Sequence, residues 1–279
     1  MSVGIFRPGS KIDENLLESG KEKFKKLSDL SFREFEIEKN QTVYFSGNSE
    51  QRKNSFLHIF EDKNIEFLWA ARGGYGTIEI LNQLPIQTNL WHEKKVVGFS
   101  DVTALHAFLS NLGVASYHAP MVATKQWNQC VGSALLSMEK LFNGESLVPI
   151  PVKSKKNIKG RIVGGNLTVL ASLMGTPWQL KLEKGDILML EDINEPYYSL
   201  ARSIKQLSFT PNFYECSLCW GELTQCVGGF GSEEDLVKTL SEPYDLETRM
   251  GLEIGHADVN HCVRLGRDVT IEGQLLYCD

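Results

Sequence analysis

No stretch of this chain approaches the roughly 20 uninterrupted apolar residues of a membrane-spanning helix. The most apolar region, 162–178, is broken by Asn166, Thr168 and the glycines Gly164, Gly165 and Gly175. The first thirteen residues place no long apolar core behind a basic start, so no secretory leader is expected and the chain reads as cytoplasmic. Positive charge is also short. The 29 Lys and Arg stand against 35 Asp and Glu, a net charge of −6. That balance argues against a nucleic-acid partner and leaves any anionic ligand to be held by local groups. With six cysteines in 279 residues, no disulfide framework is implied. Cys216 and Cys219 have the spacing of a metal or redox pair, and Cys226 with Cys262 or His261 would complete a zinc shell. No second pair with ligand spacing is present, so a strand whose small apolar cysteines pack in the core is preferred. There is no internal repeat and no low-complexity tract.

What is present is the make-up of an ordinary globular protein, 42% hydrophobic and 23% charged, long enough for one large domain or two modest ones. Apolar runs at 3–6, 65–71, 96–99 and 114–117 alternate with helical patterns at 13–27, 50–62, 78–84, 101–112 and 132–142. Asp13 is placed to cap the first of these helices. A half-exposed strand is expected over 35–38. Strands alternating with helices imply right-handed crossovers and a mostly parallel sheet. The stretch 144–159, with Pro149, Pro151, Lys153, Lys155, Lys156 and Lys159, reads as an exposed connection between a domain at 1–143 and another at 160–279. In the second half, strands are expected at 160–164, 186–190, 217–223, 251–254, 262–265, 269–271 and 274–277, with helices at 167–174 and 198–207. The expected class is α/β: a parallel-sheet N-terminal domain plus a smaller β-rich α+β domain whose sheet is mainly antiparallel.

Ligands of parallel sheets bind beyond the carboxyl ends of the strands. Two motifs fall there and can face one crevice. In Gly98-Phe99-Ser100-Asp101, the Ser100 hydroxyl sits at a strand-to-helix turn, beside the free N–H groups that open a helix and can hold an oxyanion. In Arg72-Gly73-Gly74-Tyr75-Gly76 the backbone can approach a ligand closely. A phosphate cradle is the alternative, but the G-G-x-G spacing lacks the P-loop lysine and serine and the dinucleotide pattern. An oxyanion hole from the backbone of Asp101 with Gly73 or Gly74 is preferred. Arg72 can grip a substrate carboxylate, its alternative being an internal salt bridge, and Tyr75 is grouped with it as a substrate contact. A serine nucleophile needs a base and a group to orient it. Of six histidines, His256 ranks first, because it follows an apolar strand end and a glycine, and His118 ranks second. His106 would project away from the turn. Glu191 ends a strongly apolar strand, where a charge needs a partner; Glu195, in a turn before Pro196, is its rival.

Taken together, Ala71-Arg72-Gly73-Gly74-Tyr75-Gly76, Gly98-Phe99-Ser100-Asp101-Val102-Thr103-Ala104-Leu105, Gly164-Gly165-Asn166-Leu167, Gly175-Thr176-Pro177-Trp178, Leu190-Glu191-Asp192-Ile193-Asn194-Glu195 and Gly255-His256 resemble the LD-carboxypeptidase family of serine peptidases. The resemblance covers nearly the whole chain, with the motifs in the family's order. It implies a Rossmann-like N-terminal domain carrying Ser100, a β-rich C-terminal domain carrying Glu191 and His256, a Ser-Glu-His triad between them, and a homodimer. It further implies removal of the terminal D-alanine from murein tetrapeptides during peptidoglycan recycling, with no metal and no cofactor. A branch of the family instead cleaves a peptide–nucleotide antibiotic and confers self-immunity. An aromatic group to stack on a purine is expected of that branch, and neither 144–159 nor 183–186 contains one. A non-catalytic small-molecule binding protein is the reading from another class. One departure bears on substrate detail: many members follow the first strand with Ala-Pro-Ser-Gly, where this chain has Arg7-Pro8-Gly9-Ser10.

Overall fold

The computed structural model describes residues 2–35 and 43–278. The chain begins as parallel strands joined through helices: β1 (Ser2–Phe6), β2 (Ser31–Glu34), β3 (Ile65–Ala70), β4 (Lys95–Gly98) and β5 (Ser116–His118). Their order in space is β2-β1-β3-β4-β5, every pair parallel. The order reverses beside β1, which opens a crevice at the carboxyl ends of the strands. Successive side chains on these strands serve opposite faces. Val3, Ile5, Phe67, Trp69 and Val97 pack into one core cluster, and Phe6, Leu68, Ala70 and Val96 into another. Helices α1 (Glu14–Phe24), α2 (Ser49–Glu61), α3 (Thr77–Leu81), α4 (Thr103–Asn111), α5 (Lys125–Gln129) and α6 (Gly132–Phe142) supply the partners of those two faces. Because both faces are covered, the central strands β1, β3 and β4 are largely apolar, whereas the edge strand β2 is polar and mostly exposed. Asp13 caps α1 by accepting from the amides of Asn15 and Leu16, and Asn48 with Gln51 forms a capping box on α2. The half-exposed strand expected over 35–38 lies, beyond Phe35, outside the described residues; β2 precedes it.

The second sheet uses β6 (Ile150–Pro151), β7 (Ile158–Asn166), β8 (Ile187–Ile193), β9 (Ser217–Thr224), β10 (Thr248–Arg249), β12 (Arg267–Glu272) and β13 (Leu275–Cys278), with β11 (Val263–Leu265) lying between β10 and β12 in the chain. The order is β10-β9-β8-β7-β12-β13-β6. The expectation of a mainly antiparallel sheet is corrected here. The pairs β7–β8, β8–β9 and β9–β10 are parallel, because helices α7 (Leu167–Ser172), α8 (Tyr197–Leu207) and α9 (Glu233–Ser241) provide crossovers. Only the pairs from β7 through β12 and β13 to β6 are antiparallel. Two further strand expectations change. Strand β11 crosses to the first sheet and pairs antiparallel with β5. Residues 251–254 form no regular strand: Gly251 is left-handed, and the Ile254 amide donates back to Leu252, although Leu252 and Ile254 still bond to Trp220 and Glu222 of β9.

Cys219 packs on the β9 face that meets Ile187, Met189 and Ile254, whereas Cys216 and Cys226 join the cluster on the other side. Burial pushes the Cys219 thiol up to about 12. The Cys-x-x-Cys pair therefore does not converge on one point, and core packing accounts for it. Among the described residues no helix is long and apolar enough to cross a membrane.

The two sheets share a core. Val102, Leu105 and Phe108 from α4 and its entry pack with Val163, Leu167, Leu170 and Leu188. Trp178 packs edge-on against Phe108 and donates its indole N–H to Asn82. The sheets approach closely at Gly165, where φ is +140° and a Cβ would fall 2.5 Å from Thr103 Oγ1. Gly165→Ala is therefore expected to cost about 2–4 kcal/mol, through backbone strain plus overpacking. A urea midpoint unchanged from wild type would contradict this account of how the sheets meet.

Candidate active site

Strand β4 runs out at Gly98, Phe99 stays extended, and Ser100 takes φ = +61°, a left-handed conformation that is uncommon for any residue but glycine. A tight 3-10 turn over Ser100–Val102 then leads into α4. Such a sharp strand-to-helix elbow lifts the hydroxyl off the end of the sheet. It is crowded from beneath: a Cβ on Gly98 would lie 3.0 Å from Val102 and 3.1 Å from Ala70.

Three loops meet at this elbow. A Cβ on Gly73 would sit 3.2 Å from both Ser100 Oγ and the Asp101 nitrogen, so any side chain there would fill the space in front of the hydroxyl. The Gly73 carbonyl accepts from the Ser10 amide at 3.0 Å and the Ser10 hydroxyl at 2.9 Å, which ties the loop after β1 to the loop after β3. Asp101 turns its buried carboxylate inward to accept from the Thr77 amide (2.9 Å) and hydroxyl (2.7 Å). Burial raises the pKa of that carboxyl, and the Thr77 hydrogen bonds oppose the rise.

Beneath the loops, the fully buried Arg52 guanidinium donates to the carbonyls of Pro8, Gly76 and Gly47 and pairs with Glu79. Sequence reasoning missed Arg52. The signal was available, because Arg52 stands one turn before Phe56 and two before Ile59 on the buried face of α2.

Glu191 is fully buried on β8, and its Oε2 lies 2.8 Å from His256 Nδ1. Between them the chain must pass close to the carboxylate: Gly255 has φ = +120°, and a Cβ there would be 3.2 Å from Glu191 Oε2. The imidazole packs against Phe99, with ring centroids 4.8 Å apart, and Gln126 holds the backbone of His256 by donating to its carbonyl at 3.1 Å. A carboxylate on Nδ1 makes that nitrogen the N–H donor, so in the neutral ring Nε2 carries the lone pair. Burial disfavours the charged imidazole, but the charge and hydrogen bond of Glu191 outweigh it and hold the His256 pKa above its ordinary value.

Ser100, Gly73, Gly74, Arg72, Phe99 and His256 line one cavity of about 540 Å³. No hydrogen bond joins Ser100 to His256 among the described residues; the cavity brings them together. Arg72 is exposed at its rim, donates to the Lys11 carbonyl at 3.0 Å and has no carboxylate partner among the described residues, so the internal salt bridge is not formed. Tyr75 is half exposed against Phe45 and does not line the cavity.

The second-ranked histidine, His118, lies wholly buried behind the Phe99 ring, where burial keeps it neutral with a pKa well below the usual value. It has no access to the cavity. His106 is also buried and braces the elbow, donating Nε2–H to the Gly98 carbonyl and accepting from the Ser116 hydroxyl at Nδ1. Burial lowers its pKa to about 4. Glu195 stays in its turn, where its amide donates to Cys226 Sγ.

The LD-carboxypeptidase N-terminal domain model matches residues 3–119, and the corresponding C-terminal domain model matches residues 159–271. A Synechocystis sp. protein that carries a carboxypeptidase name is 31% identical over 84% of this chain and 79% of its own length. The murein tetrapeptide carboxypeptidase of Pseudomonas aeruginosa is 29% identical over 84% of this chain and 81% of its own. Among solved structures, a muramoyltetrapeptide carboxypeptidase from Oxalobacter formigenes superimposes with a TM-score of 0.86 at 22% identity, covering 100% of this chain and 99% of that one.

The Glu191–His256 contact has a direct test. The His256 titration, followed by imidazole NMR, is expected above 6.5 in the native protein and lower in Glu191→Gln, which keeps the shape and removes the charge. Because the folded-state pKa is the higher one, protonation of His256 stabilises the fold. That contribution is complete below about 6.5 and is lost as pH rises through the folded-state value.

Proposed function

This chain belongs to the LD-carboxypeptidase family, and on that premise we propose that it is a serine carboxypeptidase that removes the terminal D-alanine from murein tetrapeptides in peptidoglycan recycling. The observation that carries the reading is the buried Glu191–His256 pair on the same cavity as the strained Ser100 turn. The name of the Pseudomonas aeruginosa relative supports the choice of substrate.

In this mechanism Ser100 Oγ attacks the carbonyl of the amide that links the L-centre of the third residue to D-alanine. Nε2 of His256 takes the hydroxyl proton and then delivers it to the leaving amine. Glu191 holds the imidazole in the required tautomer and stabilises the imidazolium as it forms. The amide of Asp101 and a donor from the Gly73-Gly74 loop receive the oxyanion, a donor of this kind being worth about 3 kcal/mol of barrier. Water then releases the tetrapeptide-derived acyl group by the same steps in reverse roles. Arg72, exposed at the cavity rim and free of carboxylate partners among the described residues, is the weaker candidate in this reading, for gripping a substrate carboxylate.

The antibiotic-cleaving alternative draws on a more distant relative: the microcin C7 self-immunity protein of Escherichia coli is 22% identical over 82% of this chain. A purely binding role leaves the cost of burying Glu191 beside a histidine without a use.

Incubation with a murein tetrapeptide and, in parallel, with a peptide–nucleotide conjugate separates these readings. Release of D-alanine by the wild type, abolished in a folded Ser100→Ala variant, is the expected result. Cleavage of the conjugate alone, or no turnover of either, would overturn it. Gly73→Ala tests the oxyanion loop: the protein should fold, while kcat falls roughly 100-fold or more as the methyl enters the space before Ser100 Oγ and the Asp101 amide. Unimpaired turnover in that variant would remove the loop from the mechanism.

A further inference from the structure

Ser100 follows a strand of the first sheet, whereas Glu191, the partner of His256, lies on the second, and a shared cavity alone does not fix their relative placement. Buried hydrogen bonds join the helix that follows Ser100 to β8, the strand that carries Glu191, the partner of His256. Thr103, three residues past Ser100 and at the start of α4, is fully buried, and its Oγ1 accepts from the Asn166 amide at 2.9 Å. The Gly165 contact with the same hydroxyl shows how closely β7 presses there. The Asn166 side chain then donates Nδ2–H to Asp192 Oδ1 at 3.0 Å, while its own oxygen accepts from the Val169 amide and caps α7. Asp192 is the neighbour of Glu191 on β8, and Asn166 is the β7 residue in register with Glu191.

These adjacent carboxylates are treated differently. Asp192 receives four hydrogen bonds: from Asn166 Nδ2 and the Ile193 amide on one oxygen, and from the Thr168 amide and hydroxyl on the other. Glu191 has His256 on Oε2 and no partner on Oε1 among the described residues. One carboxylate is saturated by the frame; the other is left to the imidazole. A carboxylate placed only to cap α7 has no need of the link to Thr103.

We propose that Asp192, acting through Asn166 and Thr103, is a positioning residue that sets how the Ser100 turn faces the Glu191–His256 pair. The proposal rests on the reading of Ser100, Glu191 and His256 as the catalytic set. The titratable groups that face His256 are Glu191 and Asp192 from β8 and the neutral His118 from β5.

A fluorophosphonate probe measures the geometry without substrate. Ser100 Oγ forms a bond to phosphorus, fluoride leaves, and His256 takes the serine proton. Wild-type protein is expected to label at Ser100. Thr103→Val removes the acceptor and should label and turn over roughly 10- to 100-fold more slowly with KM unchanged. Thr103→Ser, which keeps the oxygen, should restore the rate. Asp192→Asn should slow labelling and also move the His256 NMR titration to lower pH, a change that loss of packing alone would not cause. Wild-type labelling rates in Thr103→Val, or an unmoved titration in Asp192→Asn, overturn the proposal. Wild-type protein that never labels at Ser100 instead overturns the catalytic reading beneath it.

Discussion

The interaction on which the rest of the structure depends is the hydrogen bond between Glu191 and His256. A carboxylate withdrawn from water costs several kcal/mol unless another group compensates it. Glu191 is withdrawn completely, at the core-facing end of an apolar strand, and its partner comes from a segment 65 residues further on. The fold must therefore bring 253–261 back over β8, with Gly255 allowing the backbone within contact distance of the carboxylate. That arrangement turns a costly burial into a raised histidine pKa and a defined tautomer, which are the properties a general base needs.

The Ser100 elbow is held by a different economy of contacts. Its φ of +61° is a strained value for serine, and such values persist only when the surroundings over-determine them. Here the surroundings are His106 on the Gly98 carbonyl, Asp101 on Thr77, and Gly73 seated against the hydroxyl. Arg52 locks the next layer by gathering the carbonyls of three separate segments. Buried charges and glycines thus appear where loops must converge, while the apolar clusters hold the two sheets behind them.

Much of this is legible in the sequence because local rules govern it. The α/β alternation, the Asp13 cap, the turn at Ser100 and the isolated charge of Glu191 each follow from a few neighbouring residues. The parallel half of the second sheet was not legible. A strand's direction depends on which neighbour it meets, and nothing in the residue patterns of β7, β8 and β9 favours one orientation over the other. The transfer of β11 to the first sheet was hidden for the same reason. His118 shows the limit for side chains: a histidine at the end of a strand can face a crevice or the core, and its buried place behind Phe99 follows from packing alone.

The sequence by itself determined most of the elements and the family motifs, and it nominated Ser100, Glu191 and His256 as candidates, since these rest on residue type and spacing within short windows. Tertiary structure alone decided which of those residues meet. The 2.8 Å contact of Glu191 with His256, the seating of Gly73 on Ser100, and the bridge from Thr103 through Asn166 to Asp192 each join segments at least 26 residues apart. Such contacts form only when the strands are ordered in space and their burial is shared, which no local pattern specifies.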